Sequence, residues 1–121
     1  MVLVAVDDLL FSSKIRATAK QAGVELTFAR SREEILEQAR ALKPALIVFD
    51  LNSAKTDSIS TLAALKADPA LAPIRAIGFA SHVHTDLIAA ARQAGADQVL
   101  PRSAFAGNLA EILLDSQKTT P

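Results

Sequence analysis

The sequence predicts an α/β fold, a five-stranded parallel sheet covered by helices on both faces, and three observations carry that prediction. Residues 2–6 and 45–49 are continuous apolar runs, each stopped by a carboxylate, Asp7 in one case and Asp50 in the other, as expected of strands buried on both faces. Strand-like and helix-like segments then alternate through about 115 residues, which leaves room for little besides a doubly covered sheet. Finally, 121 residues without a cysteine fit one domain with one core and exclude disulfide staples.

Taken in order, residues 2–6 form the first strand, ended by Asp7 and Asp8. Residues 10–22 carry Phe11, Ile15, Thr18, Ala19 and Ala22 at helical spacing, with Gly23 as the C-terminal stop. Residues 24–29 lean towards β structure. Ser31 and Glu34 then form a capping-box pattern ahead of Ile35, Leu36, Ala39 and Leu42. Pro44 introduces the third strand, 45–49, which runs into Asp50. Residues 51–56 are polar and loop-like, and Asp57 or Ser58 caps a helix through Leu62 and Leu65 that Pro69 and Pro73 bring to an end. Residues 74–79 are the fourth strand, Leu87, Ile88, Ala91 and Ala94 line a helix closed by Gly95, and 97–100 are the fifth strand. Ser103 caps a single last helix bearing Phe105, Leu109, Ile112 and Leu113. The domain is expected to span 1–116, with 117–121 a polar tail.

Composition narrows the function. Thirteen Lys and Arg balance thirteen Asp and Glu, so no basic excess recruits a polyanion, and with no Trp or Tyr a base-stacking platform would rest on Phe alone. Direct nucleic-acid binding is therefore not expected. No apolar run reaches the roughly 18 residues of a membrane span, and Met1 leads straight into the first strand with no basic leader, so a cytoplasmic location is expected.

In open parallel sheets, ligands bind beyond the carboxyl ends of the strands, where the winding direction reverses. Asp7, Asp8 and Asp50 all lie at such ends. If the strand order is 2-1-3-4-5, these three carboxylates meet at one crevice, where their mutual repulsion is relieved by a cation or a retained proton. Hard oxygen donors suit Mg²⁺, which one or two carboxylates usually hold together with a phosphate. Each Asp taken singly is equally a helix N-cap.

The arrangement resembles the receiver domains of two-component response regulators over nearly the whole chain. The likeness lies in V-L-V-A-V-D-D at residues 2–8, I-V-F-D-L-N at 47–52, A-A-A-R-Q-A-G-A-D-Q-V-L at 89–100 and the alternation between them. It implies the flavodoxin-like sheet order 2-1-3-4-5, Asp50 as phosphoryl acceptor, and Mg²⁺ held by Asp7, Asp8, Asp50 and the backbone carbonyl of Asn52. It also implies a histidine kinase or phosphotransfer protein as donor and a downstream protein target.

Several positions depart from the receiver pattern. The Thr or Ser expected at the end of the fourth strand is Ala80, with Ser81 next in line as a substitute hydroxyl. The expected Lys at the end of the fifth strand is Arg102, which either contacts the phosphoryl group or pairs with Asp50 at rest, and Pro101 precedes it where receivers place a proline after their lysine. The loop after the acceptor has Ala54 and Ser58 where proline and glycine are usual, keeping only Asp57. Val99 replaces the aromatic switch residue. His82 and His84 are too few to make a zinc site.

Two functions follow from this reading. One is an atypical receiver phosphorylated on Asp50. The other is a pseudo-receiver, a protein-interaction module that phosphorylation does not switch. A flavin or cobalamin carrier on the same topology is disfavoured, because Asp7-Asp8-Leu9-Leu10 supplies no phosphate-binding loop and sets acidic groups against the cofactor phosphate.

Overall fold

The computed structural model describes residues 1–53, 56–81 and 85–117. Strands and helices alternate as β1 (Val2–Ala5), α1 (Leu9–Ala22), β2 (Leu26–Phe28), α2 (Arg32–Leu42), β3 (Leu46–Asp50), α3 (Ser58–Ala67), β4 (Arg75–Ala80), α4 (Thr85–Ala94), β5 (Gln98–Pro101), α5 (Arg102–Gly107) and α6 (Leu109–Asp115). All paired strands are parallel, in the order β2-β1-β3-β4-β5. The expected α/β architecture and its sheet order are therefore present.

Side-chain alternation divides the core into two layers. Leu3, Ala5, Ile47 and Phe49 point to the face covered by Ile35 and Ala39 of α2, Leu62 and Leu65 of α3, and Ala91 of α4. Val2, Val4, Leu46, Val48, Ile77 and Phe79 point to the opposite face, covered by Phe11 and Ile15 of α1, Phe105 of α5, and Leu109 and Leu113 of α6. Asp50 continues the 46, 48 series and so emerges on the side of α1 and α5. This parity decides which helices can reach it.

Two helix stops behave as expected. Gly23 closes α1 at φ 72°, where a side chain would be strained, and the Ser31 hydroxyl accepts from the Glu34 N–H at 3.1 Å. The reciprocal bond of Glu34 goes to the Arg30 N–H at 2.8 Å, one residue earlier than in the usual box.

Other expectations need correction. The single last helix is two, because Asn108 turns its side-chain amide onto the Ala104 carbonyl at 2.9 Å and leaves helical geometry, while Phe105, Leu109 and Leu113 still bury one continuous stripe. That stripe is why the periodicity reads as one helix. Ser103 is not its cap: α5 begins at Arg102, with Pro101 in the N-cap position. β4 and β5 each end one residue later than expected, Ala80 pairing with Pro101, whose missing N–H is tolerated on an edge strand. Asp57 occupies the N-cap position of α3 at φ 45° and makes no capping bond with its side chain. Ala54, His82, His84 and residues 118–121 of the tail lie outside the described residues.

Candidate functional site

Three chain segments converge at the carboxyl edge of the sheet, beside β1 and β3, where the strand order reverses. Asp50 ends β3 at only 4% exposure. Asp8 is the N-cap of α1, its Oδ1 accepting from the Leu10 N–H at 2.9 Å and the Phe11 N–H at 3.1 Å. Arg102 is the first residue of α5 and reaches both carboxylates: Nη1 lies 3.5 Å from Asp8 Oδ2 and Nη2 lies 3.6 Å from Asp50 Oδ2. Its guanidinium also sits 5.2 Å from the Phe11 ring centre and 5.4 Å from that of Phe79. Beneath it, Phe79 stacks on Phe105 at 4.6 Å and meets Phe11 edge-on at 5.0 Å.

The two carboxylates are pulled in opposite directions. The Phe11 N–H, the largest influence, holds Asp8 below the usual carboxylate value; desolvation opposes it, and the Leu10 N–H and Arg102 add to the lowering. For Asp50, burial dominates and raises its value. The Asn52 N–H, donated to Asp50 Oδ1 at 3.0 Å, and Arg102 pull it back down, while Asp8 and Asp7 push it up. Asp7 is thus close enough to be felt electrostatically by Asp50.

Asn52 stands in the loop after β3, and its side-chain Oδ1 accepts from the Ser81 N–H at 3.4 Å. Ser81 and Arg102 line a cleft of 400 Å³ together with Phe11, Lys14, Ser103 and Ala106. Ala80 is fully buried at the end of β4, and Val99 is buried opposite Gly78, so neither a hydroxyl nor an aromatic ring occupies those two positions. Of the site residues named from the sequence, Ser81 and Arg102 line this cleft, Arg102 bridges Asp8 and Asp50, and Asn52 bonds to both Asp50 and Ser81.

Sequence reasoning missed two supports of Asp50. The Ser58 hydroxyl donates to the Asp50 carbonyl at 2.7 Å, an interaction hidden in what reads as a capping serine. Gly78, paired with Phe49, leaves space for the side chain of Leu51; a Cβ at Gly78 would come within 3.0 Å of it. A glycine inside an otherwise apolar strand is the signal that could have pointed to such a close approach.

Asp8 and Asp50 supply the hard oxygen donors that a divalent cation takes. Asp8 and Asp50 keep their Oδ2 atoms clear of the backbone N–H groups that hold their Oδ1 atoms, and both Oδ2 atoms face one cationic group. In this conformation that group is the guanidinium, and among the described residues no three acidic or imidazole side chains are gathered as a ready-made metal cluster. Two carboxylates and neighbouring carbonyls suffice for Mg²⁺, so the residues fit the ion once Arg102 yields its place.

No family model and no curated protein matches the sequence. Solved structures do match the fold. A response regulator from Hahella chejuensis has a TM-score of 0.84 at 21% identity, covering 98% of this chain and 95% of its own. The phosphorylated cyanobacterial phytochrome response regulator RcpA has a TM-score of 0.78 at 24% identity, with 97% and 90% covered. The Mn²⁺-bound response regulator Rcp1 has a TM-score of 0.74 at 20% identity, with 99% and 96% covered. The fold is that of response-regulator receiver domains. No helix among the described residues is long and apolar enough to cross a membrane.

Proposed function

We propose that this chain is an atypical receiver domain, spanning residues 1–116, that accepts a phosphoryl group on Asp50. The observation that carries the reading is a buried carboxylate at the end of a central strand, with one oxygen fixed by a backbone N–H and the other turned to a cation position shared with Asp8. The similarity to a phosphorylated and a Mn²⁺-bound response regulator supports it.

In this reading the donor is a phosphohistidine on a histidine kinase or phosphotransfer protein, met in the cytoplasm. An Asp50 oxygen forms a bond to phosphorus as the P–N bond breaks, the electron pair leaving with the imidazole nitrogen, and an acyl phosphate results. The Asn52 N–H and Arg102 favour the ionised Asp50 that this attack needs, against the burial that disfavours it. Mg²⁺, held by Asp8 and Asp50 with Asp7 and the Asn52 carbonyl beside them, would neutralise charge on the transferring group. Arg102, released from its carboxylates, binds the phosphoryl oxygens through its planar fork, and the Ser81 hydroxyl is the nearest substitute for the one missing at Ala80. The signal passes to a downstream protein through the altered surface, without the hydroxyl-to-aromatic relay that Ala80 and Val99 preclude.

A phosphorylation-independent pseudo-receiver is the second reading, favoured by the guanidinium already standing between Asp8 and Asp50. Intact-mass analysis after incubation with a small phosphodonor and Mg²⁺ separates the two. One added phosphoryl group on the wild type and none on Asp50→Asn is the expected result; an unmodified wild type favours the interaction module.

A further inference from the structure

Behind the acceptor lies a chain of buried hydroxyls. Thr56, Ser58 and Thr61 are 0%, 3% and 0% exposed. Ser58 Oγ lies 2.7 Å from the Asp50 carbonyl and 2.8 Å from Thr56 Oγ1, and Thr61 Oγ1 donates to the Thr56 carbonyl at 2.7 Å. Ser58 has one proton, and the carbonyl cannot donate, so that proton goes to Asp50; the Thr56 proton then serves the 2.8 Å contact with Ser58 in preference to the Ser53 carbonyl at 3.4 Å. The direction of the chain is thereby set, from Thr56 through Ser58 to the acceptor's own backbone. The Asp50 carbonyl also accepts from the Ser53 N–H at 3.1 Å, so it is engaged by both Ser53 of the following loop and Ser58 of α3.

We infer that Ser58, backed by Thr56 and Thr61, is a positioning residue for Asp50; the inference rests on the receiver reading and names how the acceptor is held in this chain. Fixing the Asp50 peptide plane fixes the direction of its side chain and places Asn52, whose N–H bonds to Asp50 Oδ1. Residues 51–57 contain neither proline nor glycine, so neither of the two residues that restrict or release φ most strongly closes that segment. Ser58 closes it instead, by tying the first residue of α3 to the last residue of β3. Buried hydroxyls contribute little net stability compared with apolar groups of the same shape, which makes three in succession more than the fold alone requires. Ser58 touches no reacting atom and acts through Asp50.

The test compares the wild type with Ser58→Ala, Thr56→Val and, as control, Ser116→Ala. Ser116 is buried and donates a comparable bond to the Leu113 carbonyl at 2.6 Å, in α6. The initial phosphorylation rate is followed against the concentration of a small phosphodonor at saturating Mg²⁺, and the Asn52 and Ser53 amide shifts are recorded without metal. Ser58→Ala is expected to lower the saturating rate about five- to tenfold with the half-saturating donor concentration unchanged, as loss of acceptor alignment requires. Thr56→Val, which keeps the shape of the side chain, is expected to do the same by roughly two- to threefold, and keeps the inference testable should Ser58→Ala not fold. Both variants move the two amide shifts, whereas Ser116→Ala lowers the melting temperature and changes neither rate nor shifts. A phosphorylated wild type whose rate and amide shifts survive in Ser58→Ala and Thr56→Val overturns the inference alone. A wild type that takes no phosphoryl group overturns the receiver reading and the inference with it.

Discussion

Replacing Arg102 with alanine is expected to tighten divalent-cation binding about tenfold, because the guanidinium and the ion claim the same carboxylate oxygens. The magnitude follows from what holds Arg102 in place. Its side chain is 38% exposed, which screens the pair with Asp50 and limits it to about 1 kcal/mol. The contact with the Phe11 ring at 5.2 Å adds about 0.5 kcal/mol at this exposure. A closed arrangement favoured by about 1.5 kcal/mol leaves roughly one molecule in ten open to the ion, and apparent affinity falls by that fraction. Mn²⁺ titration followed by water-proton relaxation measures the dissociation constants of wild type, Arg102→Ala and Arg102→Lys without any need for phosphorylation. The lysine variant should fall between the other two, since its ammonium is a point charge that cannot bridge both carboxylates in a planar fork. Equal or weaker binding by Arg102→Ala would refute the competition and show that the arginine sits beside the ion and not in its place.

Three further outcomes are expected. Burial raises the Asp50 value in the folded state, so as the pH rises from the ordinary carboxylate value to the raised one the unfolded chain ionises ahead of the native protein and stability is lost. Asp50→Asn should therefore melt above the wild type at neutral pH, and the difference should shrink to nothing as the pH falls below that window; thermal melts across the acid range check this. Asp8 both caps α1 and faces the cation position, and asparagine caps as well as aspartate does. Asp8→Asn should thus keep the melting temperature while weakening Mn²⁺ binding, whereas Asp8→Ala should lose both. Gly78→Ala should cost about 1–3 kcal/mol in denaturant unfolding, as its Cβ presses on Leu51, and should slow phosphorylation by shifting the residue next to Asp50.

How much of this was legible in the sequence depends on the range of the interaction. The strands and their order of appearance could be read, because runs such as residues 45–49 record burial on both faces in the local composition. Asp7, Asp8 and Asp50 stood out because each interrupts such a run. The break at Asn108 had one sequence signal, the Gly107-Asn108 pair, which the apolar stripe running through it outweighs. Likewise, Ser58 and Asp57 look like ordinary capping residues, and only the folded chain brings the Ser58 hydroxyl to the Asp50 carbonyl. Arg102 was legible as a cation near the site, but its bridge to Asp8 depends on where the start of α5 meets the start of α1. Lys66 gave no sequence signal at all, although it donates to the Ala72 and Ile74 carbonyls at 3.0 and 2.7 Å and pairs with Asp97 at 3.0 Å, tying α3 to the start of β4 and the approach to β5.

Peptide mapping of the protein treated with a small phosphodonor and Mg²⁺ addresses the chemistry at Asp50 most directly. The expected result is a phosphoryl group on the peptide that holds Asp50, removed by hydroxylamine as an acyl phosphate is, and missing from Asp50→Asn. A modification that resists hydroxylamine, persists in Asp50→Asn or never forms on the wild type would contradict it.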